Sequence, residues 1–306
     1  MHIVVFGAGA VGGYFGGKLA QTGNPVTFLV RQNRYHQLKT SGLTIQSVHG
    51  NFTIQPELAL SPEEIDKPDV VLLAVKNYHL DGAMSQLQTL VNKGAKILPL
   101  LNGVEHIDVL LRNFGDQHVL GGTCYIESTL DAEGGIVHTS PMHDIVFGSL
   151  GHVNEEWLGE LLHVFQRSGI NVTQSHAILK DMWTKFVFLT SISGLTAAAR
   201  SPIGVILNDA VARELLEHVI REVVQVANLR GIKLPVEETI RNTMTKMEGM
   251  SPTMTSSLHR DLEKGLPLEI SSLQGAVVKM AIESGLAVPH VASVYAVLHP
   301  FETGQK

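Results

Sequence analysis

The sequence predicts an α/β fold in two parts: an N-terminal Rossmann dinucleotide-binding domain over residues 1–175 and an all-α domain over 176–306. Two observations carry this expectation. The first is the opening stretch, in which the apolar run Ile3-Val4-Val5-Phe6 breaks into Gly7-Ala8-Gly9-Ala10-Val11-Gly12 and resumes with helical spacing to Ala20. The second is a change of pattern near Ser175, where short valine-rich runs give way to long helical periods.

The opening stretch reads as a buried strand, a tight glycine turn and a helix N-terminus. Gly7 permits the turn, Gly9 lets a diphosphate approach, and Gly12 lets the helix lie close to the strand. The first helical N–H groups, from Ala10 onward through Val11, face the phosphates with the helix dipole behind them. Val26-Thr27-Phe28-Leu29-Val30 is a second strand. At its end, where a domain preferring NAD places an acid for the ribose 2′-hydroxyl, this chain has Arg31, with Arg34 close behind. A guanidinium suits a 2′-phosphate, so the expected cofactor is NADP; the bland alternative is a pair of solvated turn arginines.

Bulk composition narrows the class. The chain has 306 residues, 44% hydrophobic and 17% charged, with a formal net charge of −6, which offers no general attraction to nucleic acid or to an anionic membrane. The single Cys124 precludes an internal disulfide and fits a reducing, cytoplasmic setting. No signal peptide is read at the start, and the apolar segment 186–199 is too short to span a bilayer. Fifteen histidines raise a metal site, but none pair at i, i+4 spacing, so scattered solvated histidines and no metal are expected. His138 and His143 flank an apparent hairpin turn, 139–142.

Further along, residues 42–60 suggest a hairpin excursion. A buried strand over 69–76 carries Lys76 to its C-terminal end, where ligands of open α/β sheets bind. The strand over 95–101 runs into Asn102, placed to bond the nicotinamide side of a cofactor or the substrate, or simply to cap the next helix. Strands around Gly121-Gly122 and Gly134-Gly135 are expected to close the first domain's sheet, with Cys124 packed inside it. Helices follow over 178–199, 210–230, 236–247 and 270–284; the apolar face of the second serves equally as core or as the interface of a homodimer. Two ionisable residues stand out: Lys185 within an otherwise apolar helix and Glu269 at a helix start. On the residues alone, the first reads as a lysine extending its stem to water and the second as a dipole partner.

Taken together, these motifs resemble the ketopantoate reductase (2-dehydropantoate 2-reductase) family over nearly the whole chain. The resemblance lies in GAGAVGGYFGGKLA, Arg31, AVKNYHL with Lys76, LLNGVE with Asn102, the Trp183-x-Lys185 helix, Thr255-Ser256-Ser257 and Glu269-Ile270 followed by Gly275. It implies NADPH-dependent reduction of a 2-oxo acid to a 2-hydroxy acid in an interdomain cleft, first of all ketopantoate to pantoate in pantothenate biosynthesis. It carries catalytic roles onto Lys185 and Glu269, and cofactor or substrate roles onto Arg31, Lys76, Asn102 and Ser257.

The chain also departs from the family pattern. Leu189 and Ser193 stand on the substrate side where asparagines are usual, Met254 replaces a further asparagine, and Gln274 stands for the asparagine before the glycine that follows Glu269. These losses of polar contact favour an alternative substrate, a branched or aromatic 2-oxo acid, as in D-2-hydroxy-acid dehydrogenases of the family. A non-catalytic NADP(H)-binding redox sensor is the third reading, and the presence of both Lys185 and Glu269 speaks against it.

Overall fold

The computed structural model describes residues 1–304. The chain divides into two compact units: Met1–Leu101 with His106–Ile178, and Asn102–Glu105 with the chain from Leu179 onward. The main division falls three residues beyond the expected 175/176 boundary, and the segment Asn102–Glu105 belongs to the second unit.

The first unit contains β1 (Ile3–Phe6), α1 (Ala10–Gln21), β2 (Val26–Leu29), α2 (Gln32–Ser41), β3 (Leu43–Ser47), β4 (Phe52–Ile54), β5 (Glu57–Ala59), β6 (Val70–Leu73), α3 (Leu80–Asn92), β7 (Lys96–Pro99), α4 (Glu105–Phe114, whose first residue belongs to the second unit), β8 (Leu120–Leu130), β9 (Ile136–Ser149), α5 (Glu155–Arg167) and β10 (Asn171–Gln174). One sheet runs β5-β2-β1-β6-β7 and is parallel throughout. Counted along the chain, its strands stand in the order 3-2-1-4-5 of a doubly wound sheet, which reverses direction between β1 and β6. The alternation of β1 shows why its sequence is apolar at every position. Ile3 and Val5 pack with Phe15 and Leu19 of α1 on one face, while Val4 and Phe6 pack with Leu87 and Leu90 of α3 on the other.

The remaining strands do not close that sheet, contrary to expectation. β8 and β9 pair as a long antiparallel hairpin that joins β3, β4 and β10 in a second sheet, with one parallel bridge, Ile97 to Val119, back to the first. Of the 42–60 excursion, residues 43–54 form the β3–β4 hairpin of this second sheet, while β5 joins the edge of the first. Residues 139–142 do not turn the chain either; they bulge out of β9, so that Glu127 alone on β8 faces the gap between the pairs Ile126–His143 and Ser128–His138. The true hairpin turn is at 131–135, where Asp131 Oδ1 accepts from the N–H groups of Glu133 and Gly135 and Gly134 takes φ +80°. The histidines are likewise not all solvated: His138 and His143 are buried beside Tyr14, and the exposed His49 stacks on His143 with ring centroids 4.0 Å apart. Burial and the neighbouring charges of His49 and Lys18 push His143 down to about 4, so it is neutral at ordinary pH.

The second unit is helical: α6 (Ile178–Ala198, whose first residue belongs to the first unit), α7 (Ile203–Asn208), α8 (Ala210–Leu229), α9 (Val236–Glu248), α10 (Ser257–Glu263), α11 (Gln274–Glu283) and α12 (Pro289–Leu298). The apolar face of α8, Leu216, Val219, Ile220, Val223, Val224 and Ala227, is core within this unit. α11 begins four residues later than its apolar period suggests, because Ile270 to Leu273 form a turn closed by Gly275 N–H on Ile270 O. Glu269 therefore precedes a turn, not a helix. Among the described residues no helix is long and apolar enough to cross a membrane, and no group of three or more His, Cys, Asp or Glu is arranged to hold a metal ion.

Candidate active site

The first candidate surface is the glycine loop between β1 and α1, at the point where the parallel sheet reverses direction. Gly7 has φ +104°, and a Cβ there would meet Ala74 O and Val75 Cγ1 at 3.0 Å. A Cβ on Gly12 would lie 2.2 Å from Gly7 O, so this glycine is what lets α1 approach the strand. Gly9 differs: a Cβ there would meet nothing within 4 Å. It caps α1 without a side-chain bond, and the first turn carries no acid. The N–H groups of Ala10, Val11 and Gly12 have no intrahelical acceptor, so open space and free donors meet where a diphosphate needs both. The residues present fit a dinucleotide.

Around this loop the basic residues have separate roles. Arg31 is exposed at the N-cap of α2, where no acidic residue stands in the first turn. Its charge reaches His79, whose pKa is lowered by burial and then by Arg31. Lys76 follows β6 as the N-cap of a short 3-10 helix, Asn77–His79, on the same side of the unit as His79 and Arg31. Arg34 is not a free turn arginine. Its Nε donates to Ala8 O at 3.1 Å and its Nη1 to Gly134 O at 2.9 Å, bracing the glycine loop against the β8–β9 turn. Burial lowers its pKa, partly offset by Asp131.

The second candidate surface lies in the helical unit. Asn102 ends the β7 strand run, yet it packs with the helices: Lys185 Nζ on α6 donates to its Oδ1 at 3.4 Å. The following Gly103 has φ +84°, and a Cβ there would fall 2.7 Å from Ser272 O. Segment 102–105 is thus pressed against the turn that follows Glu269, and only glycine permits the approach. Val104 is buried in the helical core, and Glu105 is paired with Lys279 of α11 at 2.8 Å. Together these contacts hold Asn102 in the unit that carries Lys185 and Glu269. Glu269 is only 6% exposed, and its carbonyl accepts from Ser272 Oγ.

Of the other expected substrate residues, Ser257 is half-buried in the first turn of α10, while the neighbouring Ser256 spends its hydroxyl as the N-cap, accepting from His259 N–H. Leu189, one turn beyond Lys185, is half-buried, as is Met254, and both pack on the helical core. Ser193 is a correction. It is fully buried, with Gln274 Nε2 donating to its Oγ at 3.3 Å and to Thr190 O at 2.6 Å. The short serine and the long glutamine fill one interior space, so Ser193 is closed to a substrate. Lys246, on α9, sets its Nζ 4.6 Å from the centre of the Phe188 ring. A lysine in the last turn of a helix is an ordinary dipole partner, and nothing in its sequence context marked it.

The chain is similar to known proteins over nearly its whole length. Two models of the family described as Ketopantoate reductase PanE/ApbA match the chain: the main one over residues 3–152 and its C-terminal one over 177–302. The uncharacterized oxidoreductase YkpB of Bacillus subtilis is 39% identical, with 99% of each chain covered. The crystal structure of 2-dehydropantoate 2-reductase from Geobacter metallireducens superposes with a TM-score of 0.89 at 28% identity, covering 98% of this chain and 99% of that one. A D-mandelate dehydrogenase solved with NADH and anilino(oxo)acetate has the same fold, with a TM-score of 0.90 at 24% identity, covering 99% of this chain and 98% of that one. With both halves matched in order, the chain belongs to the ketopantoate reductase family.

Proposed function

We propose that this protein reduces a 2-oxo acid to a 2-hydroxy acid with NADPH, ketopantoate to pantoate being the first reaction to test. The observation that carries the reading is the pairing of Lys185 with Asn102 inside the helical unit, which gives the lysine a fixed direction. When bound, the reduced nicotinamide supplies a hydride for C2 of the substrate. Negative charge then grows on the C2 oxygen, and a cation within hydrogen-bond reach stabilises it. Lys185 donates to that oxygen and gives it a proton, leaving a neutral amine that solvent reprotonates. Asn102 accepts one lysine N–H and so aims the others. Glu269, nearly buried, favours the charged lysine and accepts from the new hydroxyl. Ser257 donates to the substrate carboxylate. In the other unit, Ala10, Val11 and Gly12 receive the diphosphate, and Arg31, with Lys76, receives the 2′-phosphate end of the cofactor.

A second reading of the substrate is favoured by Leu189 and Met254, both half-buried and both apolar. A hydroxyl left unpaired beside them costs about 1–3 kcal/mol, so a branched or aromatic 2-oxo acid without that hydroxyl fits better than ketopantoate. NADPH consumption with ketopantoate, 2-oxoisocaproate and phenylpyruvate tests both readings. Leu189→Asn is expected to raise kcat/KM for ketopantoate about 5- to 150-fold and to lower it for the apolar acids. A wild-type preference for ketopantoate that Leu189→Asn does not improve removes the second reading. No turnover on any 2-oxo acid removes both and leaves a cofactor-binding sensor.

A further inference from the structure

At its two ends the glycine loop is held by backbone. Phe6 O accepts from Ala74 N–H at 2.9 Å, and Gly9 O accepts from Gly13 N–H of α1 at 2.8 Å. Between them, the carbonyl of Ala8 is held by a side chain, accepting from Arg34 Nε at 3.1 Å. In a trans peptide the C=O and the following N–H point in opposite directions, so a hold on Ala8 O also fixes Gly9 N–H, directed away from Arg34. The identity of residue 9 gives that hold its importance. Gly9 has φ −82°, and a flip of the Ala8–Gly9 peptide would carry it to a positive φ, which glycine adopts about as readily. The flip would replace a donor by a carbonyl oxygen beside a residue whose missing Cβ leaves open space.

Arg34 is itself braced from the far side. Its Nη1 donates to Gly134 O at 2.9 Å and to Gln37 Oε1 at 2.6 Å, and Gln37 Nε2 donates to Glu133 O, so α2 grips the β8–β9 turn at two successive carbonyls. Only a glycine at 134 leaves room for this: a Cβ there would fall 2.6 Å from Arg34 Nη1. The arrangement is costly, because Arg34 Nη2 is buried and has no hydrogen-bond partner among the described residues. A methionine of similar length would fill the space without that cost, so packing alone does not account for an arginine here. We propose that Arg34 is a positioning residue for the dinucleotide: by locking the Ala8–Gly9 peptide it presents the Gly9 N–H, and not the Ala8 oxygen, to the diphosphate. This assignment rests on the dinucleotide reading of the loop and gives Arg34 a part different from that of Arg31, because NADPH and NADH share the diphosphate.

The test is calorimetric binding of NADPH, NADH and adenosine 2′-monophosphate, which has no diphosphate, to wild type, Arg34→Met and Arg34→Lys. Arg34→Met is expected to weaken both dinucleotides alike, by about 10- to 150-fold, and to leave the mononucleotide nearly unchanged. Arg34→Lys, whose ammonium can reach one of the two carbonyls, should recover part of the loss. A loss confined to NADPH would make Arg34 a ligand of the 2′-phosphate, and an equal loss for the mononucleotide would make it a general support of the unit. Either result overturns the assignment, as does unchanged dinucleotide affinity. A measurement on the wild type is independent of any folding defect in the variants. In protein isotope-labelled on glycine, the Gly9 amide resonance should shift when ADP-ribose is added, and a Gly9 amide that does not respond overturns the assignment too. The two readings fail separately. A wild type that binds neither dinucleotide sinks the cofactor reading, whereas dinucleotide binding that does not depend on Arg34 sinks the peptide lock alone.

Discussion

The glycine loop and the Lys185 constellation are built by opposite means. The loop is backbone: β1, three glycines and the start of α1 follow one another in sequence, and each glycine is required by a φ value, a close approach or open space. The constellation is side chain: Asn102 and Lys185 are 83 residues apart and meet only because the chain lends segment 102–105 to the helical unit. A backbone site is constrained by what it cannot contain, whereas a side-chain site is constrained by what it must contain. The first should therefore be broken by added bulk, and the second by the loss of one functional group with the fold intact.

The largest expected effect sharpens that contrast. Lys185→Ala should lower kcat by about 10²–10⁴-fold, the scale of a positioned proton donor, while NADPH affinity stays close to wild type. Lys185 is only partly buried, so its removal leaves no large cavity. Near-native turnover in this variant would show that the lysine is structural. A smaller effect belongs to the dinucleotide end. Arg31→Ala should weaken NADPH binding about 10- to 150-fold and leave NADH nearly untouched, because it removes one charge-assisted contact to a group that only NADPH carries. Equal losses for both cofactors would remove the 2′-phosphate role and return Arg31 to an exposed helix cap.

The same contrast explains what could be read from the chain before its structure. The glycine loop, the buried strands and the long helices are local, so periodicity and punctuation revealed them. Strand partnership is not local: nothing in the sequence of β8 and β9 says that they join β3, β4 and β10 instead of closing the parallel sheet. The bulge at 139–142 imitates a turn because Ser-Pro is good turn chemistry, yet the pairing of 136–138 and 143–149 with β8 continues on either side of it. Ile270 and Leu273 keep a helical period although they form a turn, and this misplaced the start of α11 relative to Glu269. Ser193 and Leu189 follow Lys185 at the same helical spacing, but Gln274 fills the space beside the former and leaves the latter half-buried. Arg34 and Arg31 look alike in sequence; the carbonyls of Ala8 and Gly134 commit Arg34 to bracing the loop. Lys246 carried no sequence signal for its ring contact because Phe188 lies on α6, three helices earlier in the chain than its own.

The central claim is that Asn102 acts through Lys185, so that a strand-end residue and a helix lysine form one catalytic unit. A double-mutant cycle on kcat/KM for the best 2-oxo acid, with Asn102→Ala, Lys185→Ala and the combined variant, tests it most directly. Asn102→Ala alone should cost about 10-fold or more, the worth of a hydrogen bond to a charged group. In the absence of Lys185 it should cost almost nothing further, so that the combined variant matches Lys185→Ala. Losses that multiply across the cycle would mean that Asn102 and Lys185 act independently, and would contradict the account.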